Sequence, residues 1–132
     1  MIQSTLSSLA STLQLDFRSE VPLYLQIVAQ LRALIVNRVL QPGLQLPTVR
    51  ALATELRIHF NTVARAYRIL DESGLISTQR GRGTFVCEGS PAGEASVRQE
   101  FLRSLAEHFV TRARALGASE AEIRQVMEEF LK

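Results

Sequence analysis

Cysteine is nearly absent: Cys87 stands alone, so no disulfide can form within the chain, and the reducing cytoplasm is the expected compartment. Long apolar runs are missing too. No stretch approaches the ~20 residues of a membrane span, and the opening MIQSTLSSLASTLQL lacks the positive start and continuous apolar segment of a signal peptide, so no membrane partner is expected. Histidine occurs only at His59 and His108, without acidic residues at metal-ligand spacing around either, which gives no metal site and no cofactor to expect. A Ser-His-Asp arrangement, a phosphate-cradling glycine loop and a base beside Cys87 are all lacking, so the chain reads as a non-enzyme.

What is present is enough apolar material, 46% of 132 residues, for one compact domain and an appendage. Net charge is only +2, but it is unevenly spread. Residues 1–87 carry nine arginines against five acids, whereas residues 88–132 carry eight acids against six bases. A basic front suits a polyanion, although an ordinary solvated surface can show a difference of this size. Fourteen of the 15 basic residues are arginine, a residue fitted to bidentate phosphate and guanine contacts and also favoured by GC-rich codons.

Residues 1–20 form an N-terminal arm in which Leu6, Leu9 and Leu13 suit either an amphipathic turn or a loose segment. From Pro22 the residues Leu23, Ile27, Leu31, Leu34 and Ile35 recur at helical spacing, and the helix must stop by Gln41 because Pro42 and Gly43 follow. Leu46-Pro47-Thr48 reads as a connector with Thr48 as helix cap, ahead of a short helix through Val49, Leu52, Ala53 and Leu56. After the turn Arg57-Ile58-His59, a third helix runs from about Phe60 to Ser73-Gly74. Two short helices separated by a tight turn are a helix-turn-helix. The strand-like segments on either side of Arg80-Gly81-Arg82-Gly83 then form a β-hairpin, and a basic hairpin in this place is a wing. Tyr67 and Phe85 are expected in the core.

Residues 89–96 have linker composition, closing a winged helix-turn-helix domain at 21–88. Residues 97–132 follow as two amphipathic helices, the second opened by the capping box Ser119 and Glu122. The fold class is therefore mainly α with a small β-hairpin, carrying a two-helix C-terminal dimerisation tail. Its stripes of Phe101, Leu105, Phe109, Ile123, Met127 and Phe130 are too extensive to bury against each other and must dock on the domain or on a second copy.

The run from Leu46 to Val86 resembles the DNA-binding domain of GntR-family transcriptional regulators. The likeness is carried by Leu46-Pro47, Arg50, Leu52-Ala53, Asn61-Thr62-Val63, Ala66-Tyr67, Gly74-Leu75-Ile76 and Arg80 to Val86, and Pro22-Leu23-Tyr24 with Gln26-Ile27 resembles the family's first helix. The version Asn61 to Tyr67, with so short a tail, is most similar to the YtrA subfamily. Departures are His59, Phe60 and Ala64 on the third helix and Thr48-Val49 before Arg50.

The resemblance implies a homodimeric regulator, a repressor by analogy, that binds an inverted repeat in double-stranded DNA and leaves room for an unidentified small-molecule effector. Thr48, Arg50, His59, Asn61, Thr62, Arg65, Arg68, Arg80, Gly81 and Arg82 are the expected DNA contacts. The front of the third helix would enter the major groove, where Asn61 suits adenine and Arg65 guanine or phosphate. Helix capping alone is the alternative for Asn61 and Thr62, and it is the weaker one because two such residues coincide with the motif. Two rivals stand beside this reading. One is a fragment of a regulator fused to an aminotransferase-like domain, and the other is a winged helix turned to protein contacts.

Overall fold

A computed structural model of the chain describes residues 9–132. Leu25, Ile27, Val28, Leu31 and Ile35 share one side of α1 (Leu23–Val36), and that side is buried. The helix ends earlier than Pro42 requires. Arg38 adopts left-handed backbone (φ 62°), and the amides of Val39 and Leu40 both return to the Leu34 carbonyl at 2.9 and 3.0 Å. Of the arm, Leu6 lies outside the described residues, while Leu9 and Leu13 are buried in the core. Gln26 and Gln30 of α1 fasten the arm. Their side-chain amides accept from the Asp16 and Gln14 amides at 2.8 and 2.7 Å and donate back to the carbonyls of the same residues.

The helix-turn-helix consists of α2 (Val49–Leu56) and α3 (Phe60–Glu72). Helix α3 packs against both α1 and α2, burying Val63, Ala66, Tyr67, Ile69 and Leu70. Gly74, at φ 79°, reverses the chain after α3 so that Leu75 can donate back to the Leu70 carbonyl at 3.0 Å.

The wing is more than the expected hairpin. Strand β1 (Gln45–Leu46) adds to β2 (Ile76–Gln79) and β3 (Gly83–Val86), making an antiparallel sheet of order β1-β3-β2 in which Leu46 faces Thr84 and Ile76 faces Val86. Two residues are too short for a period to announce a strand, so the connector before Pro47 concealed it. At the tip, Arg82 donates to the Gln79 carbonyl at 2.9 Å across a turn whose third residue, Gly81, sits at φ 78°. Phe85 corrects another expectation: Thr84 and Val86 are buried, so by the two-residue period of a strand Phe85 belongs to the opposite face and stays half-exposed.

The expected linker at 89–96 is helical from Pro91. Helix α4 (Pro91–Ala115) opens with Ser90 accepting the Gly93 amide at 3.1 Å and with proline at its first position. Gly93 is there for contact: a Cβ would stand 1.8 Å from the Ser73 carbonyl oxygen at the end of α3. Arg32 pairs with Glu94, Arg112 pairs with Glu20 of the arm, and Val97 is buried. Helix α5 (Glu120–Phe130) carries the expected capping box, the Glu122 amide donating to Ser119 at 3.2 Å and the Ser119 amide to Glu122 at 2.9 Å. Those bonds hold the Glu122 carboxyl below its ordinary value.

The tail's apolar stripe divides in two. Phe101 packs half-buried on the core. Leu105, Phe109, Met127 and Phe130 are exposed, the last at 81%, and Ile123 is half-buried in an open cleft that also takes in Val110 and Met127.

Candidate nucleic-acid interface

The turn between α2 and α3 decides what the front of α3 presents. Arg57 takes left-handed backbone at φ 58°, and the Ile58 amide returns to the Ala53 carbonyl at 3.1 Å, closing α2 without a glycine. His59 then caps α3, its Nδ1 accepting the Asn61 amide at 3.0 Å. An accepting Nδ1 places the ring hydrogen of neutral His59 on Nε2, leaving an N–H donor on an exposed residue. Because His59 is the cap, Asn61 and Thr62 are not needed for that purpose. Asn61 is exposed and Thr62 half-buried, and neither side chain forms a hydrogen bond among the described residues.

Helix α2 starts at Thr48, whose hydroxyl oxygen accepts the Ala51 amide at 3.1 Å as expected. Arg50 follows on the exposed first turn, and its guanidinium carbon lies 5.0 Å from the centroid of the Phe60 ring. A cation over an exposed ring contributes roughly 0.5–1 kcal/mol, enough to favour one arginine geometry over the alternatives. The start of α2 and the start of α3 are thereby joined. The buried Tyr67 hydroxyl adds a second tie, donating to the Pro47 carbonyl at 2.8 Å and so fixing the connector that feeds α2. Burial pushes the Tyr67 phenol well above its ordinary pKa, so it acts as a fixed neutral donor.

Phe60 was not among the expected site residues. Its spacing to Val63 and Tyr67 assigns it to the core stripe, yet as the first residue of α3 it projects past the end of the core and is 41% exposed. The available signal was its place next to the cap rather than its hydrophobicity.

The structure separates the remaining arginines. Arg65 does not join Arg50 and Phe60. Its guanidinium lies 3.9 Å from the centroid of the Tyr24 ring on α1, in a groove of about 370 Å³ shared with Ser104, Glu107, His108 and Thr111 of α4. Arg68 borders a different shallow cleft, together with Val49 of α2 and Thr78 and Thr84 of the wing. Its pair with Glu72, at 3.7 Å, is about two-thirds exposed on both sides and so contributes little to stability. Arg80, Gly81 and Arg82 are exposed at the wing tip, where the Arg82 carbonyl accepts from Gln45 at 3.3 Å. Cys87, just past the end of β3, has its thiol pushed up by burial and then by the nearby Asp71 carboxylate, the reverse of what a nucleophile needs. No group of three His, Cys, Asp or Glu side chains able to hold a metal occurs among the described residues.

Comparison with known proteins gives this arrangement a context. The pattern of the family described as "Bacterial regulatory proteins, gntR family" matches residues 23–86. The HTH-type transcriptional repressor YtrA of Bacillus subtilis is 32% identical over 118 residues, covering 89% of this chain and 91% of its own. Among solved structures, YtrA from Sulfolobus acidocaldarius, a GntR-family transcription factor, is 35% identical with a TM-score of 0.57, covering 72% of this chain and 98% of its own. A GntR family transcriptional regulator from Listeria monocytogenes is 30% identical with a TM-score of 0.52, covering 87% and 98% respectively.

Proposed function

This chain belongs to the gntR family of bacterial regulatory proteins, and from that premise we propose that it is a repressor that binds an inverted-repeat operator as a homodimer. DNA binding and transcription regulation come with the family. The finer reading rests on one observation above others: at the front of α3, capped by His59 from outside, the side chains of Asn61 and Thr62 are left without hydrogen-bond partners among the described residues, beside the exposed Arg50–Phe60 stack. A helix front of this kind is what a major groove accepts. Thr48, Arg50, His59, Asn61, Thr62 and Arg68 are the proposed contacts around α3, and Arg80, Gly81 and Arg82 those of the wing. Arg65, exposed with its guanidinium over Tyr24 at the α1–α4 groove, is a further proposed contact, set apart from the Arg50–Phe60 stack.

Dimerisation is supported by the exposed face of the tail, where Leu105, Phe109, Met127 and Phe130 have no cover. A two-fold pair of subunits presents two α3 helices in opposite senses, and an inverted repeat is the matching operator. Any small molecule that altered the tail's packing would change DNA affinity, and DNA would change its affinity by the same factor.

The test is fluorescence anisotropy with a labelled duplex from upstream of the protein's own gene against a scrambled duplex, at two salt concentrations. Preferential binding that weakens as salt rises is the expected result. Equal affinity for both duplexes by a folded protein would overturn sequence-specific recognition.

A further inference from the structure

We propose that Phe60 is a base-reading residue, taking the 5-methyl group of a thymine in the major groove while holding Arg50 against its ring for the neighbouring guanine. The inference rests on the DNA-binding reading above and sharpens it. Three features of the site carry it.

Phe60 is exposed where an apolar ring adds nothing to the core. The core of α3 is closed by Val63, Ala66, Tyr67 and Leu70, all buried, and Phe60 stands beyond them between exposed His59 and exposed Asn61. Next, the ring is already engaged by Arg50 of another helix, at 5.0 Å from its centroid. That contact restrains a side chain that would otherwise spread over many rotamers, and it places a planar five-donor group beside an apolar surface. Lastly, among the major-groove edges of the four bases only thymine carries a methyl group, and guanine alone offers the paired acceptors that suit an arginine fork. An aromatic ring and a guanidinium held together therefore match a thymine beside a guanine better than any other neighbouring pair.

The experiment uses the full chain. Duplexes enriched from a random pool define the preferred site, and each thymine in it is then replaced singly by deoxyuridine, which removes the methyl group and nothing else. The expected result is that one thymine in each half-site loses about fourfold in affinity on this change, the worth of one buried methyl. Phe60→Ala should bind the thymine and deoxyuridine duplexes equally. Phe60→Leu should keep the preference for thymine yet lose part of the guanine discrimination, because it retains an apolar surface but no ring to hold Arg50. Circular dichroism checks that both variants stay folded, which the exposure of Phe60 favours. The proposal is overturned if no thymine responds to loss of its methyl, or if Phe60→Ala keeps the wild-type ratio. Failure of the wild-type protein to enrich any sequence is a different result, which sinks sequence-specific DNA binding itself and this proposal with it.

Discussion

At the scale of single residues, the stack and the caps organise the site. Tyr67 illustrates the cost of a tie that is not itself a contact with DNA. Tyr67→Phe removes the donor to Pro47 and leaves a carbonyl short of a partner, so stability should fall by about 1–2 kcal/mol, read as a lower urea midpoint at unchanged slope. Asn61 and Arg80 should fail differently. Arg80→Ala is expected to weaken binding to all duplexes and to reduce the salt slope by about 1, as the proposed phosphate contact of the wing requires. Asn61→Ala is expected to relax preference at one base step by roughly 1–3 kcal/mol with the salt slope unchanged. Titrations of both variants at several salt concentrations separate these outcomes, and identical losses on every duplex would refute the division of roles. Residue identities made most of this legible in the sequence, but directions did not follow from them. Arg65 is one residue from Ala64 and three from Arg68, yet the turn of the helix carries it to Tyr24 and the α4 groove while those two border the wing cleft. Only knowledge of which face α1 covers could have told them apart.

At the scale of elements, boundaries written by period were readable and those written by Ser, Pro and Gly were ambiguous. Helices α1, α2 and α3 announce themselves through repeating apolar positions and their stop signals. The segment Ser90 to Ser96 has the composition of a linker, but three of its residues have helical duties: Ser90 caps, Pro91 opens the first turn, and Gly93 permits contact with Ser73. Gly93→Ala tests that duty, since two effects compete. Alanine favours a helix interior by about 1 kcal/mol over glycine, whereas a methyl placed 1.8 Å from a backbone oxygen forces α4 away from α3. Overpacking against backbone should win, with a net loss of about 1–3 kcal/mol and a lower melting temperature. A rise in melting temperature would mean that α4 has another seat of equal quality. The capping box of α5 was legible because its partners lie three residues apart, within the reach of a local pattern.

At the scale of the whole molecule, the chain has a well-buried head and a tail that lacks cover. The core draws on the arm, α1, α2, α3, the sheet and Val97 at the start of α4, whereas α5 buries no residue. Phe109, at 38% exposure midway between the head and the end of α4, is the position from which to test the dimer. Phe109→Glu should leave the head folded, give a monomer by sedimentation velocity, and lower affinity for an inverted repeat to that for a single half-site. A dimer that survives this change would move the interface elsewhere on the chain. The sequence could state that the stripe exceeds what two helices can hide, but not where the division falls, because that depends on how far α4 lies along the head.

Because α4 leaves Ser73 as an unbroken helix of 25 residues, roughly 37 Å at about 1.5 Å per residue, it converts angle into distance. A tilt of about 5° at Gly93 swings the far end by about 3 Å, close to the ~3.4 Å step between successive base pairs. For the proposed pair of subunits joined at their tails, the separation of half-sites would then depend on how closely α4 is seated on the head, which the bare Cα of Gly93 sets at its start. Related chains that place a larger residue there are expected to read a different operator spacing with the same recognition helix.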